Sequence, residues 1–163
     1  MNLIKKLMVL LTGALMVMQA GAESVWDKPV SATPEPIEIV VYRSPGCGCC
    51  VRWEQHLKLH GFKVKDTEMD AVDLNKVKKD HGLTPQLASC HTAMVNNYVI
   101  EGHVPANDIK RLLSEKPPII GLSVPQMPVG TPGMETLDRK DPFKVIAFDS
   151  AGNTNVFSEY RNY

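Results

Sequence analysis

Ile37-Glu38-Ile39-Val40-Val41-Tyr42 is a β-branched, mostly apolar run, the pattern of a strand buried on both faces, and it stops at the turn residues Ser44-Pro45-Gly46. The period then changes. Cys50, Trp53 and Leu57 fall three and four residues apart, which predicts a helix with these side chains inward, ended by Gly61. Phe62-Lys63-Val64-Lys65 alternates like a second strand, and Leu74, Val77 and His81 mark one face of a second helix that stops at Gly82. After Pro85 a loop carries Cys90-His91. Ala93-Met94-Val95 and Tyr98-Val99-Ile100 then flank Asn96-Asn97 as two short strands around a turn. Pro105 opens a third helix whose apolar face holds Ile109, Leu112 and Leu113. Five prolines between Pro117 and Pro132 predict an ordered or semi-ordered loop without regular structure. Phe143-Lys144-Val145-Ile146-Ala147-Phe148 and Thr154-Asn155-Val156-Phe157 read as strands around a hairpin loop, Asp149 to Asn153.

This element order is that of an α/β, thioredoxin-like sandwich with a C-terminal Pro/Gly-rich loop and β-hairpin. It puts cysteines between the first strand and its helix. Thiols there meet the unpaired N–H groups and positive end of the helix dipole, which favour thiolate.

The N-terminus follows a different pattern. Lys5 and Lys6 precede an apolar run from Leu7 to Met18, and Ala20-Gly21-Ala22 supplies small residues for cleavage, so residues 1–22 read as a secretory signal peptide cut near Ala22. The apolar run is shorter than the roughly 20 residues of a spanning helix. An uncleaved anchor is the competing reading, and no stable membrane insertion is expected once the leader is gone. Residues 23–36 are polar, contain Pro29, Pro34 and Pro36, and are expected to form a flexible lead-in; residues 37–163 form the folded domain.

Composition refines this picture in two ways. The whole chain has 163 residues with 18 basic and 18 acidic side chains, but removal of the leader takes two lysines and leaves a slightly acidic domain. No basic tract is present to follow a phosphate backbone, so nucleic acid is not an expected partner. Export, in turn, would move the four cysteines into a compartment where thiols tend to oxidise, and a count of four is too small for a disulfide scaffold.

Three of the four cysteines lie in Cys47-Gly48-Cys49-Cys50. Cys47 and Cys50 have the spacing of a redox dithiol, but Cys49 sits inside it, and adjacent cysteines such as Cys49 and Cys50 pair only with strain. Three thiolates at one helix end suit a soft metal, with Cys90 as the fourth sulfur returning beside the helix. Soft thiolates select Cu(I), Zn(II) or iron–sulfur clusters. Structural disulfides, for instance Cys47 or Cys49 to Cys90, structural zinc, and a thiol–disulfide oxidoreductase remain competing readings. His91, beside Cys90, and His103, before the third helix, are candidate near-site residues. Met127 and Met134 join them because they lie in the Pro/Gly-rich loop and thioether binds Cu(I), although a loop methionine also serves as a plug onto the core. His56 and His60, four apart on a helix, have metal-binding spacing; with no third ligand evident they are expected on a solvated face.

Gly46-Cys47-Gly48-Cys49-Cys50 with Trp53, Ser89-Cys90-His91-Thr92-Ala93, Tyr98-Val99-Ile100-Glu101-Gly102-His103-Val104-Pro105, and Met127-Pro128 through Pro132-Gly133-Met134-Glu135 together resemble the CopG family of periplasmic copper-resistance proteins. The resemblance runs from Ile37 to about Tyr160. It implies a thioredoxin-like domain in which Cys47, Cys49, Cys50 and Cys90 hold a multinuclear copper–thiolate cluster as Cu(I), with redox interconversion of copper as part of resistance and detoxification. Copper ions, and another periplasmic copper-handling protein, are the implied partners. The residues that would carry catalysis are not identified. A passive copper carrier or chaperone, and an oxidoreductase using Cys47 and Cys50, are the alternatives. One departure from ordinary thioredoxins is that Cys90-His91 occupies the loop where a cis-proline usually stands, which weighs against exchange with a peptide disulfide.

Overall fold

The computed structural model describes residues 24–28 and 35–163; the leader proposed for residues 1–22 lies outside the described residues. Strand β1 (Ile37–Arg43) leads into helix α1 (Gly48–Leu59), β2 (Phe62–Glu68) and α2 (Ala71–Asp80). The hairpin β3 (His91–Val95) and β4 (Tyr98–Glu101) follows, then α3 (Ala106–Glu115), β5 (Gly121–Ser123), β6 (Phe143–Phe148) and β7 (Thr154–Tyr160). All seven strands form one sheet in the order β2-β1-β3-β4-β5-β6-β7, parallel at β1/β2 and β4/β5 and antiparallel elsewhere. The protein is thus a mixed α/β fold built on a seven-stranded sheet. Among the described residues, no helix is long and apolar enough to cross a membrane.

Alternation along the strands sorts side chains onto two faces. Ile39, Val41, Ala93, Val95, Ile100, Leu122 and Val145 pack with Trp53 and Leu57 of α1 and with Ile109 and Leu112 of α3. Val99 and Phe148 turn to the other face, where they meet Leu83 and Leu87, and there Lys78 of α2 reaches Thr92 and Glu101. Helices α1 and α3 therefore cover one face and α2 the other. Asp70 caps α2 by accepting from the N–H groups of Val72 and Asp73. Helix α1 has no such cap: its N-cap residue is Cys47, with no side-chain hydrogen bond to the first turn.

Three expectations need correction. The lead-in is not wholly without packed structure: Val25–Asp27 forms a 3-10 turn, and Trp26, 7% exposed, packs against Phe143, Tyr160 and Tyr163 while its Nε1 donates to Gly130 O at 2.7 Å. The segment 117–132, expected to lack regular structure, contains β5, fully buried between β4 and β6. Its prolines bracket the strand rather than interrupt it, so the ladder keeps its donors. Finally, His56 and His60 are buried rather than solvated. His56 Nε2 accepts from the N–H of Ala106 at the start of α3, which pins α1 to α3.

Candidate metal centre

The turn after β1 delivers Cys47 to the N-cap of α1 and places Cys49 and Cys50 in its first turn, with Cys50 buried. Cys90 arrives from the connection between α2 and β3. The Sγ atoms of Cys47, Cys49, Cys50 and Cys90 all lie within 4.8 Å of one another, although Cys90 is 40 residues from Cys50 in sequence. Cys47 and Cys50 are joined as a disulfide, with Cys49 and Cys90 as free thiols and Cys49 Sγ 3.6 Å from Cys47 Sγ. Burial, followed by the neighbouring Cys49, pushes the Cys90 thiol up to about 12.

Two imidazoles complete the inner side. His91 Nδ1 and His103 Nε2 are each 3.2 Å from Cys90 Sγ, and Cys90, His91 and His103 form a second group whose donor atoms lie within 4.8 Å. His103 Nδ1 stands 2.7 Å from Pro132 O. A carbonyl only accepts, so the ring proton is on Nδ1 and the Nε2 lone pair faces Cys90. Burial lowers the His103 pKa to about 4 and, with His103 and Lys78 as neighbours that would repel a second positive charge, holds that of His91 well below its ordinary value. Both rings are neutral at physiological pH. His91 is fully buried, 4.3 Å from the Trp53 ring, and its Nε2 has no hydrogen-bond partner among the described residues.

The Pro/Gly-rich loop closes over this group. Gly133, at φ +82°, lies so near α1 that a Cβ there would come within 2.6 Å of Trp53 N and 2.8 Å of Cys49 O. Arg52 Nε donates to Gly133 O at 2.9 Å. Further back, Gln126 forms a backbone bridge with Ser89, receives the Ser89 hydroxyl on its carbonyl, and donates its N–H to Ala88 O at 3.0 Å. Met134 follows Gly133 and is half-buried; Met127 follows Gln126 and is 46% exposed. Pro132 and Gly133 thus bring the loop backbone to the centre with Met134 next in the chain, whereas Met127 follows a residue that bridges to Ser89, the neighbour of Cys90.

Two charged networks brace the surroundings, and neither was expected from the sequence. Buried Arg43 ends β1, bonds Glu54 of α1 at 3.1 Å and Glu68 at 2.8 Å, and also pairs with Asp66. Beyond the sheet, Lys78 of α2 pairs with the fully buried Glu101, which also receives Thr92 Oγ1 at 2.7 Å and the Ser89 N–H at 2.6 Å. Burial raises the carboxyl pKa of both Glu54 and Glu101, and their cationic partners oppose it. The available signals were Lys78 four residues after Leu74 on the inner face of α2, and an acid closing the apolar run of β4.

The donor set fits a soft cation. Cys90 belongs both to the group of four sulfurs, of which Cys47 and Cys50 become thiol donors on reduction, and to the group with the two neutral imidazoles, whereas the neighbouring carboxylates are engaged by Arg43 or Lys78. Such donors favour Cu(I) or Zn(II) over hard cations.

A family described as a protein of unknown function, DUF411, matches residues 87–134, the stretch that holds Cys90, His91, His103, Met127 and Met134. No curated protein matches the chain. Two solved structures do. Copper resistance protein copG in its form 2 is 42% identical, covering 78% of this chain and 100% of its own, with a TM-score of 0.73. Form 1 is 43% identical, covering 77% of this chain and 98% of its own, again with a TM-score of 0.73. With that identity over most of its length, the chain belongs to the CopG family of copper-resistance proteins.

Proposed function

We propose that this protein is an exported, periplasmic copper-binding protein, in which Cys47, Cys49, Cys50 and Cys90 in their reduced form hold Cu(I) as a multinuclear thiolate cluster and which interconverts copper oxidation states in resistance. The observation that carries the reading is the convergence of four sulfurs from two distant segments within 4.8 Å. Bound copper would supply one-electron redox chemistry. The chain's own residues do the rest: the first turn of α1 holds Cys49 and Cys50 beside Cys47, His103 and His91 present neutral nitrogens to Cys90, and Arg52 ties the loop at Gly133 to α1. The β2-β1-β3-β4 order, with β1 and β2 parallel and β3 and β4 an antiparallel hairpin, supports a thioredoxin-like core extended by β5, β6 and β7. The lysine-bearing leader supports export.

Anaerobic titration of the reduced mature chain with Cu(I) should show several ions bound per chain, and Cys49→Ser should cut that capacity sharply. Unchanged capacity would refute the cluster. Protein with the Cys47–Cys50 disulfide intact should bind fewer ions, because a two-electron reduction is required to free those two sulfurs.

The disulfide at the start of α1 favours a second reading, a thiol–disulfide oxidoreductase using Cys47 and Cys50. On that reading Cys49 is dispensable and metal-free protein reduces a protein disulfide. A passive carrier is separated from an enzyme by copper-dependent electron transfer over many turnovers, which a carrier does not sustain.

A further inference from the structure

Glu101 ends β4 with its side chain fully buried on the α2 side of the sheet. A buried carboxylate persists where donors replace its water, and here there are three: Lys78 Nζ, Thr92 Oγ1 and the Ser89 N–H. The first two account for the charge. The third has a different consequence, because Ser89 lies immediately before Cys90 and outside β3. The main chain of the Glu101 region is tied to the centre as well: Glu101 O accepts from Val124 N at 2.9 Å, and Gly102 N donates to His91 O at 3.0 Å. Gly102, at φ +70°, then turns the chain to deliver His103, at a place where a Cβ would collide with Ser89 and with Val124 O. Glu101 therefore stands where the Ser89-Cys90, Gly102-His103 and Val124-Gln126 segments are joined.

We propose that Glu101, held by Lys78, is a positioning residue for the metal centre: its carboxylate fixes the Ser89 main chain so that Cys90 Sγ stays within reach of the three sulfurs on α1. This deepens the four-thiolate reading and rests on it. Cys49 and Cys50 are placed by a helix, whereas Cys90 hangs from a loop whose preceding N–H is outside the sheet ladder. Gln126 bridges to Ser89 and bonds its hydroxyl, and the Glu101 carboxylate supplies the acceptor for the Ser89 N–H.

The test compares two double variants of the full mature chain. Lys78→Met with Glu101→Gln removes the buried charge pair but keeps an oxygen acceptor for the Ser89 N–H; Lys78→Met with Glu101→Leu removes the acceptor too. Cys90 alkylation by iodoacetamide is measured in a Cys47→Ser, Cys49→Ser, Cys50→Ser background, and Cu(I) affinity is measured with all four cysteines against a chromophoric chelator. The Leu double should alkylate about tenfold faster and bind Cu(I) about tenfold more weakly, the scale of one lost buried hydrogen bond, while the Gln double stays near wild type. Equal alkylation rates in the two doubles would overturn the proposal. If the Leu double fails to fold, Glu101→Asp, which keeps the charge but shortens the reach, carries the same expectation. Should the wild type fail to bind Cu(I), the four-thiolate reading falls, and the alkylation rates still decide the role of Glu101.

Discussion

His56 makes the stability of the metal-free, reduced protein depend on acidity in a way that can be calculated. Its Nε2 accepts the Ala106 N–H at 3.1 Å, so protonation would force two hydrogens together inside the α1–α3 contact. Burial, with the nearby His60, lowers its pKa from 6.5 to about 3. A folded-state pKa below the unfolded one means that the unfolded chain takes up a proton first. The stabilisation is complete above pH 6.5 and is lost as pH falls toward 3. At pH 5 the folded imidazole is still neutral, so the loss between pH 7 and pH 5 depends almost wholly on the unfolded value and amounts to about 2 kcal/mol. His103 and His91 act in the same direction, so the wild-type loss is larger than this. The His56→Gln variant isolates the single term, because its amide oxygen can accept from Ala106 N and does not titrate. Urea unfolding at pH 7 and pH 5 measures it. With a slope of about 2 kcal/mol per molar urea, the gap between the wild-type and variant midpoints should move by about 1 M between the two pH values. An unchanged gap would refute a neutral, buried His56.

Two substitutions test how the loop and the N-terminal turn are held. Gly133→Ala places a Cβ against backbone atoms of α1 at a positive φ, where neither side can yield, and should cost at least about 2 kcal/mol in urea unfolding; a wild-type midpoint would show that the loop does not sit against Cys49 and Trp53. Trp26→Ala removes an indole packed on Phe143, Tyr160 and Tyr163, and should cost about 3 kcal/mol by the same measurement; an unchanged midpoint would mean that the turn does not brace the C-terminal hairpin.

Where the hydrophobic period was strong, the sequence located elements well: β1, α1 and β6 fall where apolar alternation or three-and-four spacing puts them. Gly121–Ser123 is too short to show a period, and it becomes a strand because β4 and β6 flank it. Trp26 is one aromatic in a polar, proline-bearing stretch; its burial is decided by rings more than 100 residues away. The burial of His56 and His60 was legible in part, since they continue from Trp53 at the same three-and-four spacing, and the inward stripe of α1 is wider than its apolar residues alone suggest. The sulfur cluster was legible in residue type and grouping. Its pairing was legible only as one of several alternatives: the spacing of Cys47 and Cys50 is that of a redox dithiol, a bond from Cys47 or Cys49 to Cys90 competed with it, and the bond joins Cys47 to Cys50. The tie from Glu101 to Lys78 and Ser89 is set by the sheet bringing separate segments together, which no local pattern records.

The Ser89–Gln126 bridge also bears on what can approach the sulfurs. A polypeptide docking beside Cys90 as an added strand would need free main-chain groups just before it. Ala88 O is already taken by Gln126 N, and Ser89 N by Glu101. The chain has in effect docked its own peptide there. A single ion needs no main-chain partners there, so the filled edge turns away an added strand without competing for the sulfurs themselves.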